Sequence, residues 1–336
     1  MNEKIITLDH GSGGKISNNL IKTVFLKYFN NKFLKELHDG AILPSSNKKI
    51  AFSTDSYTVT PLFFPGGNIG NLAIHGTVND LAMCGAKPKY LSVSFIIEEG
   101  FFVEMLEKIV FSMAESARTA KVQIVTGDTK VVGHGEVDGL YINTAGIGFI
   151  DKNVFISARH AQPGDVVIVN GPMGNHGISI LATRENLQLE QVVFSDTAPL
   201  SEIVIKILSI TEEIHVLRDP TRGGLATTLN EISQESNVEI EINEEAIPID
   251  ENVRDACEIL GYDPLYLANE GKMIVFVPEK YSREVLDEMK KCQYGDHSKI
   301  IGKVISDSRN GVYLKTKIGG KRVLGMLSGE QLPRIC

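Results

Sequence analysis

Strand-like and helix-like segments alternate along most of this 336-residue chain, and this alternation constrains the fold more than any other feature. In the first half, short apolar runs predict strands at residues 50–54, 90–97, 122–125 and 140–150, and apolar residues at helical spacing predict helices at 72–83 and 103–120. In the second half, the same patterns predict helices at 178–186, 199–209, 225–236 and 251–260, and strands at 166–169, 238–242, 273–277, 299–305 and 312–314. Such alternation is typical of a mixed α/β architecture.

The length accommodates two domains, since a domain usually takes roughly 100–200 residues. A boundary is expected near residues 151–164, where Pro163, Gly164 and Asp165 form a turn sequence. After residue 314 the chain becomes rich in glycine and ends in Leu-Pro-Arg-Ile-Cys, which is typical of a loose tail.

Composition excludes several classes of protein. The 43% apolar and 23% charged content argues against a wholly disordered chain, and the net charge of −8 argues against nucleic acid as the main partner. Residues 1–20 do not resemble a secretory leader, and no apolar run reaches the roughly 18 residues of a membrane helix. The four cysteines form no CxxC pair, so free thiols in a cytoplasmic protein are expected.

A glycine cluster follows His10. Gly11, Ser12, Gly13 and Gly14 would let backbone N–H groups approach a phosphate closely. The spacing matches neither the Walker A loop nor the dinucleotide fingerprint, and a flexible N-terminal loop explains it equally well.

Four aspartates are candidates for a magnesium–nucleotide site. Asp55 and Asp128 are expected at strand ends, Asp80 within an apolar helix, and Asp219 in a Gly-rich turn. A carboxylate in apolar surroundings costs free energy unless it is paired or binds a cation, and Mg²⁺ prefers carboxylate and phosphate oxygens. Taken singly, each aspartate is equally well explained as a helix cap or turn residue.

Two further residues suggest chemistry. Glu270 lies between an apolar stretch and a strand, where it would serve as a general base or simply occupy an exposed turn. Cys336 is the last residue, so it can enter a narrow cleft, or it is merely the end of a frayed tail.

Taken together, these segments resemble one family over essentially the whole chain. The motifs HGSGG, FSTDSY, PLFFPGGNIG, TGDTKVV, DPTRGG, ANEGK and the terminal PRIC occur in order. They resemble the HypE family of hydrogenase maturation proteins, within the superfamily of aminoimidazole ribonucleotide synthetase and selenophosphate synthetase. The ANEGK segment and the PRIC ending distinguish this family from the rest of the superfamily.

The resemblance implies a two-domain α/β fold and a homodimer. It implies a Gly-loop segment at residues 1–35, an ATP-binding and dimerisation domain at 36–155, a larger C-terminal domain at 156–318 and a flexible tail at 319–336. The N-terminal sheet would join its counterpart in a second copy to form a barrel, and ATP would bind in the cleft between the domains.

The resemblance also implies roles for individual residues. Asp55, Asp80 and Asp219 would bind Mg²⁺, while Lys130, Glu270 and Cys336 would be catalytic. The nucleotide and its phosphates would be bound by Gly11, Ser12, Gly13, Gly14, Asn79, Asp128, Thr129 and Asn175. Which of Lys130 and Glu270 is the base stays open.

The implied reaction is the ATP-dependent dehydration of a carbamoyl group on Cys336 to a thiocyanate, which supplies cyanide ligands to the iron of a NiFe hydrogenase. A HypF-type carbamoyltransferase would load the thiol, and an iron-carrying HypC–HypD complex would receive the cyanide. Two alternatives stay open: another ATP-dependent synthetase of the superfamily that acts on a small molecule, and a nucleotide-binding scaffold without catalysis.

Overall fold

The described part of the chain forms two large sheets, one after the other in sequence, and one two-stranded hairpin. The computed structural model describes residues 5–7, 10, 19–31, 48–151, 153–327, 332 and 334–336. A four-stranded sheet belongs to the first half and a seven-stranded sheet to the second. The predicted mixed α/β architecture with two domains is confirmed.

The N-terminal sheet has the strand order β1-β6-β4-β5. Strands β4 and β5 are parallel, whereas β6 runs antiparallel to both β1 and β4. The strands of this half are β1 (Lys49–Tyr57), the short hairpin β2 (Phe63–Phe64) and β3 (Gly67–Asn68), β4 (Lys87–Glu98), β5 (Gln123–Val132) and β6 (Leu140–Ile150).

Two helices cover one face of this sheet. Helix α1 (Ile69–Met83) starts at Asn68, which exchanges hydrogen bonds with Asn71 in a capping box, and almost all of its residues are buried. Helix α2 (Val103–Thr119) packs an apolar stripe inward, as its spacing predicts. A short helical stretch, Ile21–Phe25 continuing into Leu26–Tyr28, was not predicted and packs beside α2.

The other face of the sheet is open in the single chain. Asp55 lies opposite Thr144, whose hydroxyl donates to the Ala73 carbonyl of α1, so Asp55 points to the helix-covered face. Because side chains alternate, Phe52 points the other way, and 67% of it is exposed.

The C-terminal sheet has the order β13-β12-β9-β11-β7-β10-β8. Its strands are β7 (Asp165–Val169), β8 (Val216–Arg218), β9 (Glu239–Asn243), β10 (Ile274–Pro278), β11 (Lys299–Ser306), β12 (Gly311–Lys315) and β13 (Lys321–Val323). Its helices are α3 (Asn175–Arg184), α4 (Ser201–Ile210), α5 (Gly224–Ser236), α6 (Glu251–Leu260) and α7 (Glu279–Lys290). Among the described residues, no helix combines the length and apolarity needed to cross a membrane.

Several sequence predictions need correction. Strands β8 and β13 were missed because three residues carry too little pattern, and α7 was missed because charged residues dominate its exposed side. Asp55 and Asp128 do not end their strands: each continues its ladder, opposite Thr144 and Ser94 respectively. The glycine cluster at residues 11–14 lies outside the described residues.

The described residues near the C-terminus make specific contacts with both halves of the chain. β13 adds to the edge strand β12, and the carbonyl of Leu324 accepts a hydrogen bond from the buried Asn230 amide. At the very end, Arg334 and Cys336 are hydrogen-bonded to the N-terminal half, as described below. The predicted boundaries at residues 35, 155 and 318 remain a proposal.

Asn79 links the two halves of the chain. This residue of α1 is 2% exposed, and its side-chain amide donates to the carbonyls of Ala198 at 3.0 Å and Glu270 at 3.3 Å. Its Oδ1 accepts the backbone N–H of Leu200 at 2.8 Å. One buried side chain therefore fixes the segment before α4 and the approach to β10 against the N-terminal helix.

Replacing Asn79 with Ala should destabilise the fold, because the N–H of Leu200 and the carbonyl of Ala198 would stay buried without partners. We expect a loss of about 2–4 kcal/mol in the free energy of unfolding, measured by urea denaturation. Asn153→Ala is the control, since Asn153 only contacts Glu212 at the surface and should change stability by less than about 0.5 kcal/mol. Equal stability of the two variants would contradict the linking role.

Candidate active site

Sheet topology brings Asp219 and Glu270 to one edge of the C-terminal sheet. Arg218, the last residue of β8, lies opposite Ile274, the first residue of β10, because the two strands are antiparallel. Asp219 follows β8 directly, and Glu270 lies in the bend that leads into β10. The end of one strand and the start of its neighbour therefore place both carboxylates at the same edge.

The N-terminal domain presents two more carboxylates toward this edge. Asp55 of β1 points to the helix-covered face, and Asp80 lies in the last turn of α1. The hydroxyl of Ser53 donates to Asp80 Oδ2 at 2.7 Å, which fixes that carboxylate against β1. Ser53 is part of the FSTDSY motif, but sequence reasoning assigned it no role.

The aspartates repel one another. Burial raises the pKa of Asp219 to about 7, and the charges of Asp80 and Asp55 contribute to this shift. Burial and the charge of Asp55 likewise raise the pKa of Asp80. Arg218 opposes both shifts without cancelling them. The group therefore carries more negative charge than its protein surroundings neutralise.

This donor set suits a cation that arrives with its own ligands. Among the described residues, no three His, Cys, Asp or Glu side chains converge closely enough to hold a metal ion by themselves. Mg²⁺ usually takes only one or two carboxylates and fills its remaining positions with water and phosphate oxygens. Uncompensated, mutually repelling aspartates fit such an ion bound together with a polyphosphate.

Glu270 is buried beside these aspartates. It is 5% exposed, its backbone N–H donates to Asp196 Oδ1 at 3.0 Å, and its carbonyl accepts from Asn79. Burial, followed by the charges of Asp196, Asp219, Asp55 and Asp80, raises its pKa well above the ordinary value. A raised pKa makes the ionised carboxylate a stronger proton acceptor, as a general base requires.

Asn269 organises the segments around Glu270. Its amide donates to the carbonyl of Pro220 at 2.9 Å, and its Oδ1 accepts the N–H of Gly174 at 2.8 Å. The Asn269 side chain, which is 1% exposed, thus connects the ANEGK segment to the loop with Asp219 and to the start of α3. No sequence pattern assigns a role to Asn269 or Asp196, although Asn269 lies inside the ANEGK motif.

Gly271 is required by the same packing. A Cβ atom at this position would lie 1.9 Å from the backbone oxygen of Asp196. Any side chain would therefore push apart the two segments that position Glu270.

The end of the chain docks between the domains. The N–H of Thr58 donates to the Cys336 carbonyl at 3.0 Å, and the N–H of Thr60 donates to the Arg334 carbonyl at 3.3 Å. Arg334 in turn donates to the Thr58 carbonyl and forms an ion pair with Asp138. The last three residues thus pair with residues 58–60 in the manner of an added strand.

The docked thiol lies within electrostatic reach of the carboxylates. Burial raises the pKa of the Cys336 thiol to about 12, the charges of Glu270 and Asp55 contribute, and a hydrogen bond from Arg222 opposes the shift. The structure therefore brings together Asp55, Asp80, Asp219, Glu270 and Cys336. Arg222, in the DPTRGG motif, is a neighbour that sequence reasoning did not assign.

Other predicted residues lie elsewhere in the single chain. Asp128 and Lys130 are exposed on the open face of the N-terminal sheet, opposite Ser94 and Ile96, whereas Thr129 points to the helix-covered face with Phe95. Within one chain, Asp128 and Lys130 therefore do not lie on the side of the sheet that faces Glu270.

The two predicted asparagines are engaged within the protein. Asn79 uses both of its polar atoms on backbone groups, which favours a positioning role over direct contact with phosphate. Asn175 donates to Asp250 at 2.8 Å, and its buried Oδ1 accepts no hydrogen bond from the described residues.

Known proteins match this arrangement along the whole chain. The N-terminal domain of AIR synthase related proteins matches residues 37–150, and the corresponding C-terminal domain matches residues 162–315. The carbamoyl dehydratase HypE of Cupriavidus necator is 48% identical over 332 residues, which are 98% of this chain and 95% of that protein. The chain belongs to the HypE family. The family resemblance predicted from the motifs is confirmed.

Solved structures of the HypE family agree with this placement. A crystal structure of HypE in complex with ATP has 50% sequence identity and a TM-score of 0.95, and the match covers 98% of this chain and 99% of that one. The structure of a HypE–HypF complex matches with 48% identity and a TM-score of 0.81, covering 92% of this chain and 99% of that one. The shared fold is therefore that of HypE.

Replacing Asp219 with Asn should stabilise the protein without nucleotide at pH 8. An aspartate whose pKa is about 7 in the folded state and near 3.8 when unfolded lowers stability as pH rises through that window, and the full cost remains above it. The free energy of unfolding should rise by up to about 4 kcal/mol at pH 8, and this gain should become smaller toward pH 5. Binding of MgATP should become weaker.

Asp255→Asn is the matched control for this measurement, since Asp255 is exposed on α6 and should show no gain at either pH. A loss of stability in Asp219→Asn at pH 8 would contradict the repulsion between the aspartates.

Proposed function

We propose that this chain is an ATP-dependent carbamoyl dehydratase that converts a carbamoyl group on Cys336 into a thiocyanate. One observation carries the proposal: the terminal thiol docks in the cleft that holds Glu270 and the aspartate group. The names of the HypE relatives and the ATP complex of a HypE structure support the same reaction.

The first step activates the carbamoyl oxygen. In R–S–C(=O)–NH₂, that oxygen is a poor leaving group, so it attacks the γ-phosphorus of ATP, ADP leaves, and a proton is lost to give R–S–C(=NH)–O–PO₃²⁻. Asp55, Asp80 and Asp219 would hold Mg²⁺, which would supply positive charge to the transferring phosphoryl group. Arg222, beside the sulfur, is placed to stabilise negative charge on the carbamoyl oxygen.

The second step removes phosphate. A base takes the remaining N–H proton, the C≡N bond forms, and the C–O bond breaks with release of inorganic phosphate. We assign the base to Glu270, since its pKa is raised and its carboxylate lies near the thiol. Lys130 is the alternative base, but it lies on the opposite face of the N-terminal sheet within one chain.

The competing functions fit this geometry less well. A synthetase that acts on a free small molecule needs the space that the docked tail occupies beside Glu270. A scaffold without catalysis has no use for a buried glutamate whose pKa four aspartates help to raise. Three relatives that are 46–48% identical to this chain carry the name carbamoyl dehydratase HypE, which favours dehydration over both alternatives.

The partners follow from the reaction. A HypF-type carbamoyltransferase would load the thiol, as the HypE–HypF complex of a relative suggests, and a HypC–HypD iron complex would accept the cyanide for a NiFe hydrogenase. We place these steps in the cytoplasm.

We also propose a homodimer through the open face of the N-terminal sheet. This face exposes Phe52 and Ile50, which a second copy would cover by closing the two sheets into a barrel. Asp128 and Lys130 lie on the same face, so any role in the site would be exerted toward the second copy.

The dehydration itself is tested by intact mass on protein that carries S-carbamoyl-Cys336. Addition of MgATP should make the protein lighter by one water, and ADP should appear in equal amount. Glu270→Gln should bind ATP yet slow the mass change by about 10²–10⁴-fold, the usual contribution of a general base. Glu258→Gln, which alters an exposed residue of α6, is the control and should react at the normal rate.

Two outcomes would contradict this proposal. Formation of ADP without any change in the mass of the tail would exclude dehydration. Full cyanide transfer by Cys336→Ala protein would exclude the terminal thiol as the carrier.

Replacing Phe52 with Glu should convert the dimer into a monomer, because a carboxylate would be buried in the proposed interface. Light scattering coupled to gel filtration measures the change directly. Phe194→Glu alters an equally exposed phenylalanine of the C-terminal domain and should leave the mass unchanged. A dimer that persists in Phe52→Glu protein would place the interface elsewhere.

A further inference from the structure

The last peptide of the chain is held from both domains. The carbonyl of Cys336 accepts from the N–H of Thr58 at 3.0 Å and from its hydroxyl at 3.4 Å. The carbonyl of Ile335 lies 2.8 Å from Nε2 of His176, in the first turn of α3. The Ile335 side chain is 5% exposed in the N-terminal core. The backbone on both sides of the Cys336 Cα is therefore fixed while the side chain reaches toward Glu270.

The hydrogen bonds around His176 determine where its proton lies. A carbonyl only accepts, so Nε2 must carry the hydrogen that goes to Ile335. Nδ1 lies 2.8 Å from Ser195 Oγ, so in the neutral ring it carries no hydrogen and accepts the one on the serine hydroxyl, whose oxygen also accepts the N–H of Thr197 at 3.2 Å. In the neutral ring, the Ile335 carbonyl and the Ser195 hydroxyl therefore favour the same tautomer, with the hydrogen on Nε2. Burial lowers its pKa, in agreement with the neutral form, although Asp196 and the Ile335 carbonyl oppose the shift.

The His176 ring is fully buried, and both of its nitrogens are hydrogen-bonded while the tail is docked. His176 is 0% exposed, and Phe64 packs edge-on against it with the ring centroids 5.6 Å apart. At the other end of α3, Arg184 donates to the carbonyls of Arg334 and Thr60 at 2.8 Å. Helix α3 of the C-terminal domain therefore binds two successive carbonyls of the tail. Arg184 binds that of Arg334, and His176 binds that of Ile335, which is nearer the cysteine.

We propose that His176, oriented by Ser195, is a positioning residue that holds the terminal peptide so that the group on Cys336 lies beside Glu270. Its role beyond docking rests on the proposed function, because it presumes that Cys336 carries the reacting group. Loading of the thiol is favoured when the tail leaves the cleft, since the docked thiol is half-buried beside carboxylates that disfavour its thiolate. The His176 bond therefore favours dehydration and disfavours loading, and weakening it moves the two steps in opposite directions.

The docking role is tested without ATP or any carbamoyl group. In a Cys84→Ala background, which removes the exposed thiol, intact mass follows the reaction of Cys336 with N-ethylmaleimide. His176→Leu leaves the Ile335 carbonyl without a donor, and we expect labelling about tenfold faster, which corresponds to the usual worth of one buried hydrogen bond. His176→Gln keeps an amide donor near the Nε2 position and should label within about threefold of the parent.

Ser195→Ala is the second variant, in case His176→Leu protein does not fold. Loss of the tautomer control should speed labelling about two- to fivefold. Labelling of folded His176→Leu or of Ser195→Ala at the parent rate would overturn the proposal.

The positioning role is tested on the two chemical steps. For His176→Leu we expect dehydration of S-carbamoyl protein to slow about tenfold with an unchanged KM for ATP, while carbamoylation of the thiol by free cyanate becomes faster. Slowing of both steps would indicate general damage and overturn the proposal. Absence of dehydration in the parent protein would refute the proposed function alone, because the maleimide result does not depend on it.

Discussion

The structure depends on keeping five carboxylates together where water is scarce. Asp55, Asp80, Asp196 and Asp219 each raise the pKa of the buried Glu270. Like charges at low dielectric repel strongly, so this cluster opposes folding unless the surrounding chain is tightly connected. The same repulsion is what a magnesium–nucleotide complex would relieve, so the cost in the free protein becomes a source of affinity for the ligand.

Two buried asparagines supply much of that connection. Asn79 ties the N-terminal helix to the backbone of Glu270 and to the segment before α4, while Asn269 ties the Asp219 loop to the start of α3. An amide can both donate and accept, so one side chain can satisfy several backbone groups without adding charge. A carboxylate in either position would increase the repulsion that the site already contains.

The sequence was informative where a pattern is local. Helical spacing located α2, and the strand Leu140–Ile150 was predicted with its observed limits. The motifs identified Asp55, Asp80, Asp219, Glu270 and Cys336, which the structure brings together. The motifs identified Asp128 and Lys130 equally well, yet these two residues lie on the other face of the sheet. A motif does not show which face of the sheet a side chain occupies, because that depends on how the strand pairs with its neighbour.

Other features escaped because they depend on contacts between distant segments. Asp196 and His176 occupy unremarkable positions in the sequence, and only the docking of the tail and the approach of residues 195–197 give them roles. Ser53 was missed for a similar reason, since a serine in a strand acquires meaning only when Asp80 lies 2.7 Å away.

The docked position disfavours chemical loading of the bare thiol. A thiol with a pKa of about 12 is ionised to only about one part in 10⁵ at pH 7, and the thiolate is the nucleophile in carbamoylation. Once the sulfur carries a carbamoyl group it no longer titrates, so the acidic surroundings cease to disfavour it, and in the proposed reaction Glu270 would act on the nitrogen instead. The environment that suppresses the bare thiol is therefore compatible with the loaded one. This asymmetry gives a physical reason for a carrier on a detachable terminus: the site that dehydrates the group is unsuited to acquiring it.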